Sequence, residues 1–413
     1  MKLKQIPVLL LTGYLGSGKT TLLNHILTNE RGLKFAVIVN DIGDVNIDAS
    51  LIQKGGIVGT PGDGSGDDLI ALQNGCICCN LKMDLVKQIA DLLSTGRFDY
   101  IVIEASGICE PAPIAQTICQ MASMPGVAAH GSIPVMDAIV TVVDALRLKS
   151  EFGCGGNLNH TDEGDLARLV VEQIEFCNIV LLNKISEVTR AEADEIKTVI
   201  RAMQPQAEII ECDYCDVDIE RLVGTGMFNF EAVATSATWI KEIERPSTDQ
   251  EEHEPHHHHH HDEHHDHDEE CHCEGECHCG HHHHHGHSHT EEYGIETMTY
   301  YRRKAFDLNK FDYFVASAWP QNIIRAKGLC YFSINRDMSY MFEQAGIQKN
   351  VSEAGQWCAT APADELARMM AFDPSLRRDW DPVYGDRMIK IVFIGRNLDR
   401  CALTSALDAC LEE

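Results

Sequence analysis

A chain of 413 residues exceeds one ordinary core, so two or three domains are predicted, and a 44% hydrophobic fraction suffices to fill them. The formal net charge of -29 would repel phosphate groups, which argues against nucleic acid or an anionic membrane as primary partner, and no stretch of about 18 apolar residues offers a membrane span. The 17 cysteines are odd in number and several lie one or two residues apart, which predicts reduced thiols and metal ligands in a cytoplasmic protein rather than a disulfide framework.

The first element is an apolar run at residues 6–11, read as a strand. With the lysines before it, the run imitates a signal peptide, but it is short and ends in a glycine loop. That loop, GYLGSGKT at residues 13–20, opens a helical pattern at residues 19–27. Strand, glycine-rich loop and helix in this order, with Walker A spacing, predict a phosphate-binding site. Gly13, Gly16 and Gly18 let backbone N–H groups converge on phosphates at a helix N-terminus, with Ser17 and Thr21 beside them. Lys19 is placed to reach the β- and γ-phosphates, and the Thr20 hydroxyl to ligate Mg2+. An ordinary glycine turn before a helix is the plainer reading; the lysine and threonine at fixed offsets count against it.

A second strand, residues 35–40, leads into NDIGDVNID. Asp41, Asp44 and Asp48 stand where a nucleotide-sensing switch commonly sits, and they offer hard metal ligands. Further on, NGCICCN brings Cys76, Cys78 and Cys79 close enough to converge on one ion, and thiolates favour Zn2+ or copper(I). Three local ligands leave a fourth position open, which suits transfer better than permanent structural binding. The alternative is a buried cluster of small apolar side chains. After a helix at residues 84–93 and a strand at 100–103, the motif IVIEASG supplies Glu104 and Gly107. A carboxylate at this strand end faces magnesium or the attacking water, and a glycine three residues on offers its N–H to the γ-phosphate. A strand-end acid in solvent is the bland alternative.

A helix follows at residues 111–121, then the strand AIVTVV at 138–143 with Asp144 after it, and a helix at 166–176. The strand at residues 178–182 ends in Asn183 and Lys184. A guanine-binding strand end reads N-K-x-D, and here Ser186 takes the place of the Asp. A hydroxyl does not accept two N–H bonds as a carboxylate does, a loss of about 1–3 kcal/mol, and Glu187 is the neighbouring acid that would substitute. With the phosphate loop present the reading is a guanine site, adenine being the alternative. The next helix covers residues 191–203. Apolar runs without alternation fit strands covered on both faces, so residues 1–240 are predicted as a doubly wound α/β domain with a parallel sheet.

In residues 241–292 the composition changes abruptly. All of the 22 histidines except His25, His130 and His160 fall between His253 and His289, among acids and Cys271, Cys273, Cys277 and Cys279. Such a segment cannot offset the entropy of ordering, so it is predicted to be a disordered linker serving as a labile reservoir of metal ions. A solvated tract without function is the alternative. Residues 293–413 read as a smaller α+β domain, with strands around 311–317, 328–335 and 339–343, a helix at 363–371, a strand at 388–394 and a last helix at 398–411. His25, His130 and His160 read as structural, and Cys330, Cys358 and Cys401 as core.

Taken in order, GYLGSGKTTLL, NDIGDVNID, NGCICCNL, IEASGICEPAPI and the Asn-Lys pair resemble the CobW-type GTPases, which include zinc-transfer chaperones. RRKAFDLNKFDYFV, IIRAKGLCYFS, AGQWCA and GDRMIKIVFIGRNLD resemble the small C-terminal domain of that family. The resemblance implies GTP hydrolysis with GTP and Mg2+ as cofactors, Zn2+ carried at Cys76, Cys78 and Cys79, and its handover to a client apoprotein. It implies that Lys19 and Thr20 hold phosphate and magnesium, that Glu104 serves hydrolysis, and that Asn183 and Lys184 hold the base. Co2+ and Ni2+ stay open beside Zn2+, as do monomer and dimer. Three departures stand out: Ser186, Asp41 and Asp44 where Glu is usual, and the added stretch GGIVGTPGDGSGDD before the cysteines. A metal buffer with a degenerate nucleotide domain and a P-loop kinase for a small molecule are the rival readings.

Overall fold

The computed structural model describes residues 3–28, 33–39, 71–73, 82–124, 127, 131–151, 164–244, 293–346 and 348–413. In chain order the first part comprises β1 (Lys4–Thr12), α1 (Lys19–Leu27), β2 (Phe35–Val39), β3 (Ala71–Gln73), α2 (Lys82–Thr95), β4 (Tyr100–Glu104) and α3 (Pro111–Met121). It continues through β5 (Ser132–Asp144), α4 (Ala145–Glu151), α5 (Gly164–Glu175), β6 (Ile179–Asn183), α6 (Arg190–Met203), β7 (Glu208–Glu211), α7 (Phe230–Ala234) and α8 (Thr238–Glu244). The seven strands form one sheet in the order β3-β2-β4-β1-β5-β6-β7. Every neighbouring pair is parallel.

Burial explains why these strands carry no polar alternation. Val8 and Leu10 of β1 enter one apolar layer while Leu9 and Leu11 enter the other, so both faces are covered by helices. Among the described residues the sheet has one irregularity: Val8 pairs with Met136 but Leu9 with Ala138, which leaves Asp137 as an extra residue. Its buried carboxylate accepts from the Gly224 N–H at 2.7 Å and from the Tyr100 hydroxyl, so this acid anchors a loop.

The second part comprises β8 (Ile295–Arg302), α9 (Leu308–Ser317), β9 (Ile323–Phe332), β10 (Asn335–Ala345), β11 (Gln348–Gln356), α10 (Ala363–Phe372), α11 (Pro374–Arg378), β12 (Ile389–Arg396) and α12 (Arg400–Asp408). Its sheet is antiparallel in the order β11-β10-β9-β12-β8. Two expectations are corrected here. Residues 311–317 form part of helix α9 and not a strand, because the Asp307 carboxylate caps the backbone N–H groups of Asn309 and Lys310. Phe311 and Phe314, three apart, then share the buried face, and Phe311 stacks on Phe306 at 4.5 Å. Cys330 is buried as expected, whereas Cys358 and Cys401 are only half-buried, each lying at the edge of a short turn or helix.

The two parts meet through α5. Arg325 on β9 donates from Nε to Glu175 Oε1 at 2.9 Å and from Nη2 to Oε2 at 3.1 Å, with both side chains almost fully buried. Around this pair Ile295, Ile324, Ala345 and Ile394 join the same apolar cluster as Val170, Val171 and Ile174. Beside it, Lys327 pairs with Glu343, which also lies 3.7 Å from Arg168.

Candidate functional site

Parallel strands all end at the same edge of a sheet, so the loops after them converge. Here β1 runs into the glycine loop and α1 begins at Lys19. Gly13, Gly16 and Gly18 all have positive φ (134°, 82° and 117°), which L-residues seldom adopt. At Gly13 and Gly18 space agrees with backbone: a Cβ would stand 2.2 Å from the Val142 carbonyl oxygen at the first and 2.5 Å from Asn183 Nδ2 at the second. Lys19 is buried and its Nζ donates to the Tyr14 carbonyl at 3.1 Å, so the ammonium lies across the loop that precedes it. Thr21 is exposed on the first turn, and Ser17 is fully buried.

Glu104 ends β4 and is only 2% exposed, yet it faces the helix start: the Thr20 hydroxyl donates to Glu104 Oε1 at 3.1 Å. Gly107, three residues on, packs against the loop so closely that a Cβ would lie 2.7 Å from the Leu15 nitrogen. The register aligns these ends. Leu11 pairs with Glu104, Glu104 with Val39, and Val39 with Gln73, so four strands terminate in one row.

The other half of the edge is built from β5, β6 and β7. Asn183 is buried with its polar atoms committed to protein. Its Nδ2 donates to the Ser17 carbonyl at 2.8 Å, and its Oδ1 accepts from the Cys215 N–H at 3.0 Å. The side chain thus braces the glycine loop against β6. Lys184, with φ of 59°, turns its ammonium to Asp144 Oδ2 at 2.6 Å. Asp144 is held in turn by the Tyr14 hydroxyl, which accepts from its backbone N–H at 2.9 Å. Asp144 was visible in the sequence as the residue after AIVTVV, but only the pairing of Asp144 with Asn183 across β5 and β6 shows why it meets Lys184.

Sequence reasoning missed Asp213. Ser186 donates to Asp213 Oδ1 from both its backbone N–H, at 3.0 Å, and its hydroxyl, at 2.8 Å. The carboxylate comes from the turn after β7, a strand of four residues that the sequence pattern does not reveal. Glu187, the expected substitute, lies in a short 3-10 turn and donates its own N–H to the Lys184 carbonyl. Cys212 and Cys215 lie under the loop. The neighbouring Cys212 thiol, followed by burial, pushes the Cys215 thiol far up, so it stays protonated at neutral pH. The Nδ1 of His25 lies 3.0 Å from the Cys215 carbonyl, a structural contact.

Asp41, Asp44, Asp48, Cys76, Cys78 and Cys79 lie outside the described residues, as do Cys271, Cys273, Cys277, Cys279, His130 and His160. Among the described residues no group of three or more His, Cys, Asp or Glu side chains is placed to hold a metal ion. Likewise no described helix is long and apolar enough to cross a membrane.

Residues 7–211 match the model of the CobW/HypB/UreG nucleotide-binding domain, and residues 295–411 that of the cobalamin synthesis protein cobW C-terminal domain. The chain is 30% identical over 427 residues to the zinc-regulated GTPase metalloprotein activator 1 of Dictyostelium discoideum, a match covering 99% of this chain and 80% of that one. It is 31% identical over 238 residues to the zinc chaperone YjiA of Escherichia coli, covering 55% of this chain and 63% of that one. The crystal structure of Zn(II)-bound YjiA superposes with a TM-score of 0.39 at 18% identity, covering 99% of this chain and 100% of that one.

Proposed function

The chain belongs to the CobW family of P-loop GTPases, and on that premise we propose that it is a cytoplasmic metallochaperone. It carries Zn2+ at Cys76, Cys78 and Cys79 and passes it to a client apoprotein when GTP is hydrolysed. The observation that carries this reading is the row of strand ends. Gln73, Val39, Glu104 and Leu11 are register partners across four neighbouring strands. The cysteines follow Gln73, the aspartates Asp41 and Asp44 follow Val39, and the phosphate loop follows β1. The strand ends that precede the switch aspartates and the cysteines are thus neighbours of the end that carries Glu104, which is the route by which a change at the γ-phosphate would reach the metal.

The residues divide the work. The loop from Gly13 to Thr20 cradles the phosphates, and Lys19 exchanges the Tyr14 carbonyl for β- and γ-phosphate oxygens. Thr20 and Glu104 supply hydroxyl and carboxylate oxygens, a hard donor pair that fits Mg2+ and not a thiophilic ion. When bound, that ion neutralises charge building on the phosphate oxygens. Glu104, buried and fixed by Thr20, orients the attacking water; Gly107 lends its N–H to the γ-phosphate, and Lys184 supports the base. Asp41 and Asp44 sense the γ-phosphate, and their release on hydrolysis loosens the hold on the Zn2+ cargo. Cys271, Cys273, Cys277 and Cys279, with the histidines around them, raise the local supply of the ion.

Zinc affinity measured against a competing chelator tests the coupling. The account expects it to differ at least about fivefold between the GDP form and a form held with a non-hydrolysable GTP analogue. A Cys76/Cys78/Cys79→Ser variant should lose that difference. Equal affinity in both nucleotide forms of the wild type would overturn the coupling.

A further inference from the structure

We propose that Asp213, docked on Ser186, reads the guanine base in place of the carboxylate that the Asn183–Ser186 strand end lacks. The inference rests on the nucleotide-site reading above. Ser186 stands where a carboxylate would accept two guanine N–H bonds, and both of its own donors are spent on one oxygen of Asp213, Oδ1, at 2.8 and 3.0 Å. Two lone-pair sites of that oxygen are thereby filled. Among the described residues nothing donates to the other oxygen, Oδ2, and the side chain is only half-buried. The Ser186 hydroxyl, its proton committed to Asp213, keeps its lone pairs. Together the two side chains present two acceptors, the number that guanine N1–H and its 2-amino group require. Adenine offers no donor at either position.

The carboxylate is held in place before any ligand arrives. The Cys212 N–H donates to the Leu182 carbonyl at 2.9 Å and the Ile185 N–H to the Cys212 carbonyl at 3.2 Å, which joins the ends of β6 and β7. Two residues on, Cys215 donates its N–H to Asn183 Oδ1 at 3.0 Å and its thiol to the Gly18 carbonyl at 3.3 Å. Tyr214 and Cys215 take φ of 51° and 55°, a left-handed pair that side chains of this size rarely adopt. Asp213 is thus fixed relative to both the phosphate loop and Lys184. A preorganised acceptor costs less to use than one that must be ordered on binding.

The test exploits the direction of the Ser186 bonds. In Asp213→Asn the amide carbonyl keeps the place of Oδ1, where two donors require an acceptor, and the amide NH2 takes the place of Oδ2. That donor opposes guanine and matches the 2-oxo group of xanthine. Binding of fluorescent GDP, ADP and XDP to the full chain is measured for wild type, Asp213→Asn, and Asp213→Asn combined with Ser186→Asp. Expected are a preference of the wild type for GDP, a loss of about 10- to 100-fold in GDP affinity with a gain for XDP in Asp213→Asn, and recovery of GDP binding in the double variant. An unchanged GDP affinity in Asp213→Asn overturns the assignment, and so does a uniform loss of all three nucleotides without a xanthine gain. A wild type that binds GDP and ADP alike overturns it while leaving the phosphate site standing. A wild type that binds no nucleotide removes the underlying reading as well.

Discussion

The parallel sheet is covered by an apolar layer on each face and the antiparallel sheet chiefly by one, and the two arrange chemistry differently. In the parallel sheet every strand points the same way, so Glu104, Asp144, Asn183 and the glycine loop gather along one edge. In the antiparallel sheet successive ends alternate between two edges; the buried Arg325 and Glu343 and the half-buried Lys327 face the first domain and pair with acids or bases there and on neighbouring strands. β12 is buried almost throughout, while β11 at the sheet edge is exposed along most of its length. Strand direction thus decides where a site assembles, and the second sheet serves as a brace. If that division holds, substitutions in one sheet should move turnover and those in the other should move stability.

The largest effect is expected from the brace. Arg325→Ala leaves the Glu175 carboxylate buried without its bidentate partner, which should cost about 3–5 kcal/mol in denaturant unfolding while GTP turnover below the melting range is retained. Lys19→Ala should do the opposite, lowering turnover about 10²- to 10³-fold with an unchanged unfolding midpoint. A smaller, mixed effect is predicted for Gly107→Ala. Its Cβ would meet backbone of the phosphate loop at 2.7 Å, and the strain of about 1–3 kcal/mol should appear mainly in nucleotide affinity.

The smallest effect is set by pH. Burial alone would raise the Glu343 carboxyl, but Lys327, Arg325 and Arg168 outweigh it and hold it below the usual range. A depressed carboxyl stabilises the fold above its unfolded pKa, about 4.3, and that contribution fades as pH falls through the folded value. Thermal melts between pH 6 and about pH 3 should show a loss that Glu343→Gln reduces. A Glu343→Gln curve with the same slope as wild type would remove this carboxylate from the brace.

The same contrast explains what the sequence revealed. Doubly covered parallel strands give unbroken apolar runs, and the runs at AIVTVV and NIVLL lie within β5 and across the start of β6. β11 could not be read that way, because QKNVSEAGQ at an exposed edge has hardly any apolar residues to set a period. The pattern does not reveal β8 either, and FDYFVAS reads as a strand because its aromatic alternation hides a three-residue spacing that the Asp307 cap turns into a helix. In the site, residues defined by local spacing were legible: the glycine loop, Glu104, Asn183 and Lys184. The pairing of Asp144 with Lys184 and the place of Asp213 were not, because they are set by pairing between β5, β6 and the turn after β7, and local spacing carries no such information.

The proposed coupling joins nucleotide chemistry and metal occupancy across the row of strand ends. The most direct measurement is the steady-state rate of GTP hydrolysis with and without stoichiometric Zn2+, in the wild type and in the Cys76/Cys78/Cys79→Ser variant. Expected is a rate that Zn2+ changes severalfold in the wild type and leaves untouched in the variant. Hydrolysis that responds to Zn2+ equally in both proteins, or in neither, would contradict it.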